Sequence, residues 1–176
     1  MSATEDSGGR FSASTRRSPA WIPVAWLALC TASTAPAQCG SELVARGHVP
    51  GVNHWVSAMT LWDPDGAGPQ TPLVVLGGKF WTAGPLFTMQ VATYDPVSGA
   101  WGTLGAGLEG FDGTAALAVL PNGDLVAGGD FTTSGGNPVN YLARWNGASW
   151  VPLGGGTNGP VSSLFVRSNG ELVVGG

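Results

Sequence analysis

The sequence predicts an all-β chain assembled from repeated four-stranded antiparallel sheets. Three observations predict it. The composition joins abundant glycine and tryptophan to very little charge. A segment about fifty residues long recurs with recognisable identity. Asn-Gly pairs separate short apolar runs at hairpin spacing.

Composition comes first because it bounds the class. The chain has 176 residues, which suits one domain. Only 10% are charged, against about 25% in ordinary soluble domains. The 29 glycines and 13 prolines stand beside 8 tryptophans, whereas disorder favours high charge and few aromatics. Many short strands joined by tight turns need this mixture. No run past the N-terminus sustains the i, i+3, i+4, i+7 apolar spacing of an amphipathic helix.

The repeat is explicit. Leu117–Gly129 (LAVLPNGDLVAGG) aligns with Leu164–Gly176 (LFVRSNGELVVGG) at an offset of 47. Leu73–Gly84 aligns with Leu125–Gly135, and from Gly77-Gly78 and Gly128-Gly129 onward the offset is 51. Val91–Gly105 aligns with Leu142–Gly154, the later copy being two residues shorter in its turn. The period changes in turns, where insertions are tolerated.

Each unit reads as four strands. In the best-defined unit these are Thr114–Leu120, Asp124–Gly128, Val139–Trp145 and Ser149–Leu153. Asn122-Gly123 and Asn146-Gly147 are expected as two-residue hairpin turns with positive φ at both central positions. Four strands in 47–51 residues fit a propeller blade and are too long for a β-helix coil. The expected fold is therefore an incomplete β-propeller of four-stranded antiparallel blades, preceded by a signal peptide. The segments are 1–37 signal peptide, 38–55 linker or extra strand, 56–107 blade one, 108–156 blade two and 157–176 the first half of blade three. That last half-blade leads the reading to expect a truncated open frame.

Recurring residues receive structural roles. The pairs Gly77-Gly78, Gly128-Gly129 and Gly175-Gly176 are expected to end the second strand of each blade, let backbones approach and let the chain turn outward. Tyr94, Trp101, Trp145 and Trp150 are expected to fill the wedge between neighbouring blades. An aromatic sugar platform is the alternative for these four. Lys79 and Asp130, each just after a glycine pair, are the candidate ligand-facing rim.

These residues resemble kelch-type repeats, in which a hydrophobic strand runs into Gly-Gly and is followed by Tyr, six residues and Trp, as in Gly77-Gly78…Tyr94…Trp101. The later unit departs from that signature: Trp145 replaces the tyrosine and four residues precede Trp150. Ala116–Arg144 also resembles the delta-60 type propeller repeats of bacterial secreted proteins. Together these resemblances cover about residues 56–176 and imply a binding scaffold. Some kelch-related propellers are copper oxidases, but nothing here matches such a site.

The N-terminus reads as an export signal. Arg16 and Arg17 precede an apolar stretch from Ala20 to Cys30, and Ala35-Pro36-Ala37 closes the segment. The stretch is short for a membrane span of about 20 residues. The arginine pair hints at twin-arginine export. The protein is expected to be secreted, periplasmic or on the cell surface, with no stable membrane insertion after cleavage. Cleavage after Ala37 leaves Cys39 without an internal partner, either paired between chains or free.

Chemistry-bearing motifs are sparse. His48, His54 and Cys39 match no metal-ligand spacing. Asp63-Pro64-Asp65-Gly66 opens like a calcium loop but lacks the closing glutamate, and Asp63–Pro72 is read as a long hairpin loop. No nucleophile elbow and no phosphate loop occurs. Past residue 37, nine acids face Arg46, Lys79, Arg144 and Arg167, too few and too scattered for a nucleic-acid surface. The expectation is an exported, non-catalytic repeat module, without cofactor or metal, for protein or glycan binding. It could also associate through an open blade edge. The alternatives are the propeller portion of a secreted carbohydrate-active enzyme and a purely structural surface protein.

Overall fold

A computed structural model of the chain describes residues 51–176. The expected signal peptide, Cys30, Cys39 and His48 lie outside the described residues. All regular structure among the described residues is β. In chain order the first unit contains β1 (Trp55–Trp62), β2 (Leu73–Lys79), β3 (Thr82–Ala83), β4 (Leu86–Phe87), β5 (Val91–Tyr94) and β6 (Trp101–Thr103). The second contains β7 (Glu109–Val119), β8 (Leu125–Ser134), β9 (Asn137–Pro138), β10 (Leu142–Trp145) and β11 (Trp150–Pro152). A hairpin of β12 (Ser163–Val166) and β13 (Leu172–Gly175) follows.

Both units are antiparallel meanders of the same order. The first sheet runs β1-β2-β5-β6 and the second β7-β8-β10-β11, with β9 on the far part of β8. The short β3–β4 hairpin of the first unit corresponds to the β8 extension and β9 in the second. Registers coincide at equivalent places: Val56 faces Gly78 as Thr114 faces Gly129, and Met59 faces Leu76 as Leu117 faces Ala127.

Strand alternation explains how the sheets stack. In β2, Val75 and Gly77 point to one side and Val74 and Leu76 to the other. Val75 and Val91 pack with Leu104 and Leu108 against the second unit's Leu125, Ala127, Ala143, Trp145 and Trp150, with Leu117 and Val119 alongside. Gly77 sits where the sheets come closest. A Cβ built there would lie 2.5 Å from Thr114 Cγ2 and 3.3 Å from Leu117 Cδ1. Gly128 repeats this against the hairpin, its built Cβ falling 2.5 Å from Val161 Cγ1 and 3.5 Å from Leu164 Cδ1. The second glycine of each pair serves the sheet itself: a Cβ on Gly78 or Gly129 would run into the facing backbone of β1 or β7.

Three expectations are corrected. The strand through Gly128-Gly129 does not end there but continues to Ser134, because Phe131 is fully buried and Thr133 and Ser134 pair with Pro138 and Asn137. The first strand of that unit begins at Glu109 rather than Thr114, bending through register shifts at Gly110 and Gly113. The Asn-Gly turns place only the glycine at positive φ, with Gly123 at 86°, Gly147 at 96° and Gly170 at 86°. Pro121 holds φ negative at the first turn position, so Leu120 to Asp124 closes as a three-residue loop. In it the Gly123 N–H donates to Leu120 O at 2.8 Å and the Leu120 N–H to Asp124 O at 2.9 Å. The Arg167–Glu171 loop has the same two bonds, at 2.9 and 2.8 Å.

A further repeat appears in the loops. Met89 and Gln90 take φ of 45° and 67°, and Asn140 and Tyr141 take 44° and 67°. Such angles are strained for residues with a side chain, and the same bonds hold both pairs. Gln90 N–H donates to Phe80 O at 2.7 Å and Tyr141 N–H to Phe131 O at 2.8 Å. Gly78 N–H donates to Gln90 O and Gly129 N–H to Tyr141 O, each at 3.1 Å. Leu108 N–H and Thr157 N–H then reach Met89 O and Asn140 O at 2.9 Å.

Candidate functional site

Lys79 ends β2, opposite Trp55. Its Nζ lies 2.9 Å from Asp112 Oδ1 and 4.6 Å from the centroid of the Phe111 ring. The ammonium is thus held by an ion pair and a cation–π contact on the neighbouring unit. Asp130 occupies the equivalent place in β8, opposite Gly113, and is half-buried. Lys79 is therefore spent on Asp112 rather than on Asp130. Beside it stands an exposed aromatic group: His54 packs 4.8 Å from Trp55 and 5.9 Å from Trp81, with Trp55 72% and Phe111 79% exposed.

The recurring aromatics form equivalent pairs. Tyr94 and Trp101 lie 5.0 Å apart and Trp145 and Trp150 5.6 Å apart, both tilted. In the second unit the pair reaches into the first. Trp150 Nε1–H donates to Leu104 O at 3.1 Å, and Trp145 covers Gly105. Trp145 and Trp150 are buried, so neither offers an open ring face to a sugar.

A polar cleft of about 550 Å³ opens at the other end of the same seam. Three turns converge on it: the β1–β2 loop with Asp63 and Asp65, the β7–β8 turn with Asn122 and Asp124, and the β10–β11 turn with Asn146. Trp62 ties the first two together, its Nε1–H donating to Gly123 O at 2.9 Å. Each carboxylate has local work. Asp63 Oδ1 accepts from Asp65 N–H at 3.3 Å, and Asp65 Oδ2 accepts from Gln70 N–H at 3.1 Å. Asp124 Oδ2 accepts from Arg144 at 2.8 Å and from the Asn122 amide at 2.9 Å. The Arg144 guanidinium first, and the Asn122 amide second, hold the Asp124 carboxyl below its ordinary range. The cleft thus presents fixed acceptors and amide groups beside indole walls, which can hydrogen-bond a polar ligand.

Reading residues one at a time missed this cleft. Asp124 and Asn122 register as turn chemistry, and Trp62 carries no motif. The shared signal is that all these residues sit at strand ends on the side of the first-to-second and third-to-fourth strand turns. Comparison with protein families, curated proteins and solved structures returns no match.

Proposed function

We propose that the chain is an exported, non-catalytic module of β-propeller type that binds a glycan through the turn-lined cleft between adjacent blades. The observation that carries this reading is the convergence of Asp63, Asn122, Asp124 and Asn146 around one cleft at the seam of two equivalent sheets. Sugars are recognised by planar amides and carboxylates that accept and donate to hydroxyls, beside apolar walls. The equivalence of the two meanders supports the propeller reading. Neither Asp124 nor Asp65 suits acid–base work: Asp124 is held ionised, whereas a general acid needs a raised pKa.

Protein binding is the second reading, favoured by the exposed Trp55, Trp81 and Phe111 around Lys79. The deciding experiment is calorimetric titration of the exported protein with a panel of neutral oligosaccharides. Asn122→Ala should weaken binding about tenfold, the worth of one good hydrogen bond, while Trp55→Ala leaves it unchanged. The glycan reading is wrong if no saccharide binds, or if Trp55→Ala rather than Asn122→Ala removes binding.

A further inference from the structure

The stack carries both halves of its own seam, uncovered, on opposite outer faces. At each internal seam a glycine of the second strand receives residues from the first strand of the next unit. Gly77 receives Thr114 and Leu117, and Gly128 receives Val161 and Leu164. Gly175 is the third glycine of this series, yet a Cβ built on it meets only its own hairpin's Ser163 Oγ, at 2.8 Å. On the same face of that hairpin, Phe165 pairs with Val173, and they are 67% and 48% exposed.

The opposite outer face bears the complementary set. By register, Val56 corresponds to Thr114 and Met59 to Leu117, and two residues further on Leu61 corresponds to Val119. Thr114 is fully buried by the preceding sheet. Val56, Met59 and Leu61 are instead 39%, 67% and 66% exposed. Row for row, the β1 face matches what the receiving face of the β12–β13 hairpin accepts.

We infer that a second copy of this chain docks head to tail, the β1 face of one on the β12–β13 face of the next. The two internal seams are its template, and no other partner is needed to explain why both faces keep the pattern. The contact joins unlike surfaces, so it propagates into rings or short chains rather than stopping at a two-fold dimer. It does not depend on the cleft or its ligand.

The test is sedimentation velocity on the full exported chain, from low micromolar to several hundred micromolar. The wild type should grow with concentration beyond a dimer. Met59→Glu and Phe165→Glu, both at exposed positions, should fold with unchanged urea midpoints. Each should weaken association by about a hundredfold or more, through a charge left unpaired in an apolar seam. Each variant keeps one good face, so an equimolar mixture of the two should form a one-to-one complex that grows no further. A wild type that stays monomeric throughout the range overturns the inference. So does a Phe165→Glu variant that associates like the wild type, since that would mean β1 faces pair with each other. A mixture that fails to form the complex overturns it as well.

Discussion

Gly77 offers the most direct check on the stacking of the two sheets. A methyl placed there would sit 2.5 Å from Thr114 Cγ2, 3.0 Å from Thr114 Cβ and 3.3 Å from Leu117 Cδ1. Thr114 is fully buried and β-branched, so it cannot swing aside at low cost. Gly77→Ala should therefore force the sheets apart by several tenths of an ångström. Overpacking of this kind costs about 1–3 kcal/mol, less about 0.4–1 kcal/mol gained because alanine restricts the unfolded chain. A net loss of about 1–2 kcal/mol results. Thr114→Ser removes the nearest atom, and alone should cost about 1 kcal/mol for the lost methyl. The two changes together should cost less than their sum by about 1 kcal/mol, because the serine leaves room for the new methyl. Urea denaturation of the four proteins closes the cycle. Additivity within about 0.5 kcal/mol would mean that the residues do not touch, and the proposed seam would be wrong.

Two further predictions probe the same seam. Trp150→Phe keeps most of the buried ring but leaves Leu104 O without its indole donor, so stability should fall by about 1–2 kcal/mol in urea; an unchanged midpoint would refute the bond. The Asp124–Arg144 pair should show itself in the pH dependence. The Asp124 carboxyl is depressed in the folded state from its ordinary 3.8, so its contribution is fully present above about pH 5, where the unfolded carboxyl is also ionised. It fades as pH falls through the lower folded value. Arg144 is 39% exposed, so solvent screening limits the effect to about 0.5–1 kcal/mol. The stability gap between the wild type and Asp124→Asn, followed by urea denaturation at stepped pH, should close toward pH 2. A gap that widens on acidification would reverse the sign.

Local pattern made some of this architecture readable, and the rest arose from contacts between units. The glycines of the Asn-Gly turns occupy the left-handed region in all three copies, and that need is visible in two adjacent letters. The turn type was not visible, because Pro121 constrains one side of the loop and the first asparagine stays at negative φ. The length of β8 was also hidden. Gly128-Gly129 resembles an ending, but buried Phe131 and the pairing with β9 carry the strand onward. Met89-Gln90 and Asn140-Tyr141 share almost no side-chain chemistry, yet both are bent the same way by bonds from Phe80 O, Phe131 O and their neighbours. No propensity of methionine or glutamine foretells that.

Taken alone, the amino-acid order settled the all-β character, the period near fifty and the positions where turns interrupt the strands. Each of these depends on a residue's own backbone preference or on its immediate neighbours. Tertiary packing decided which glycine meets which methyl, that Trp150 donates to Leu104 O, and that turns from two sheets enclose one cleft. These depend on atoms about fifty residues apart, and distances across a seam exist only once both sheets are folded.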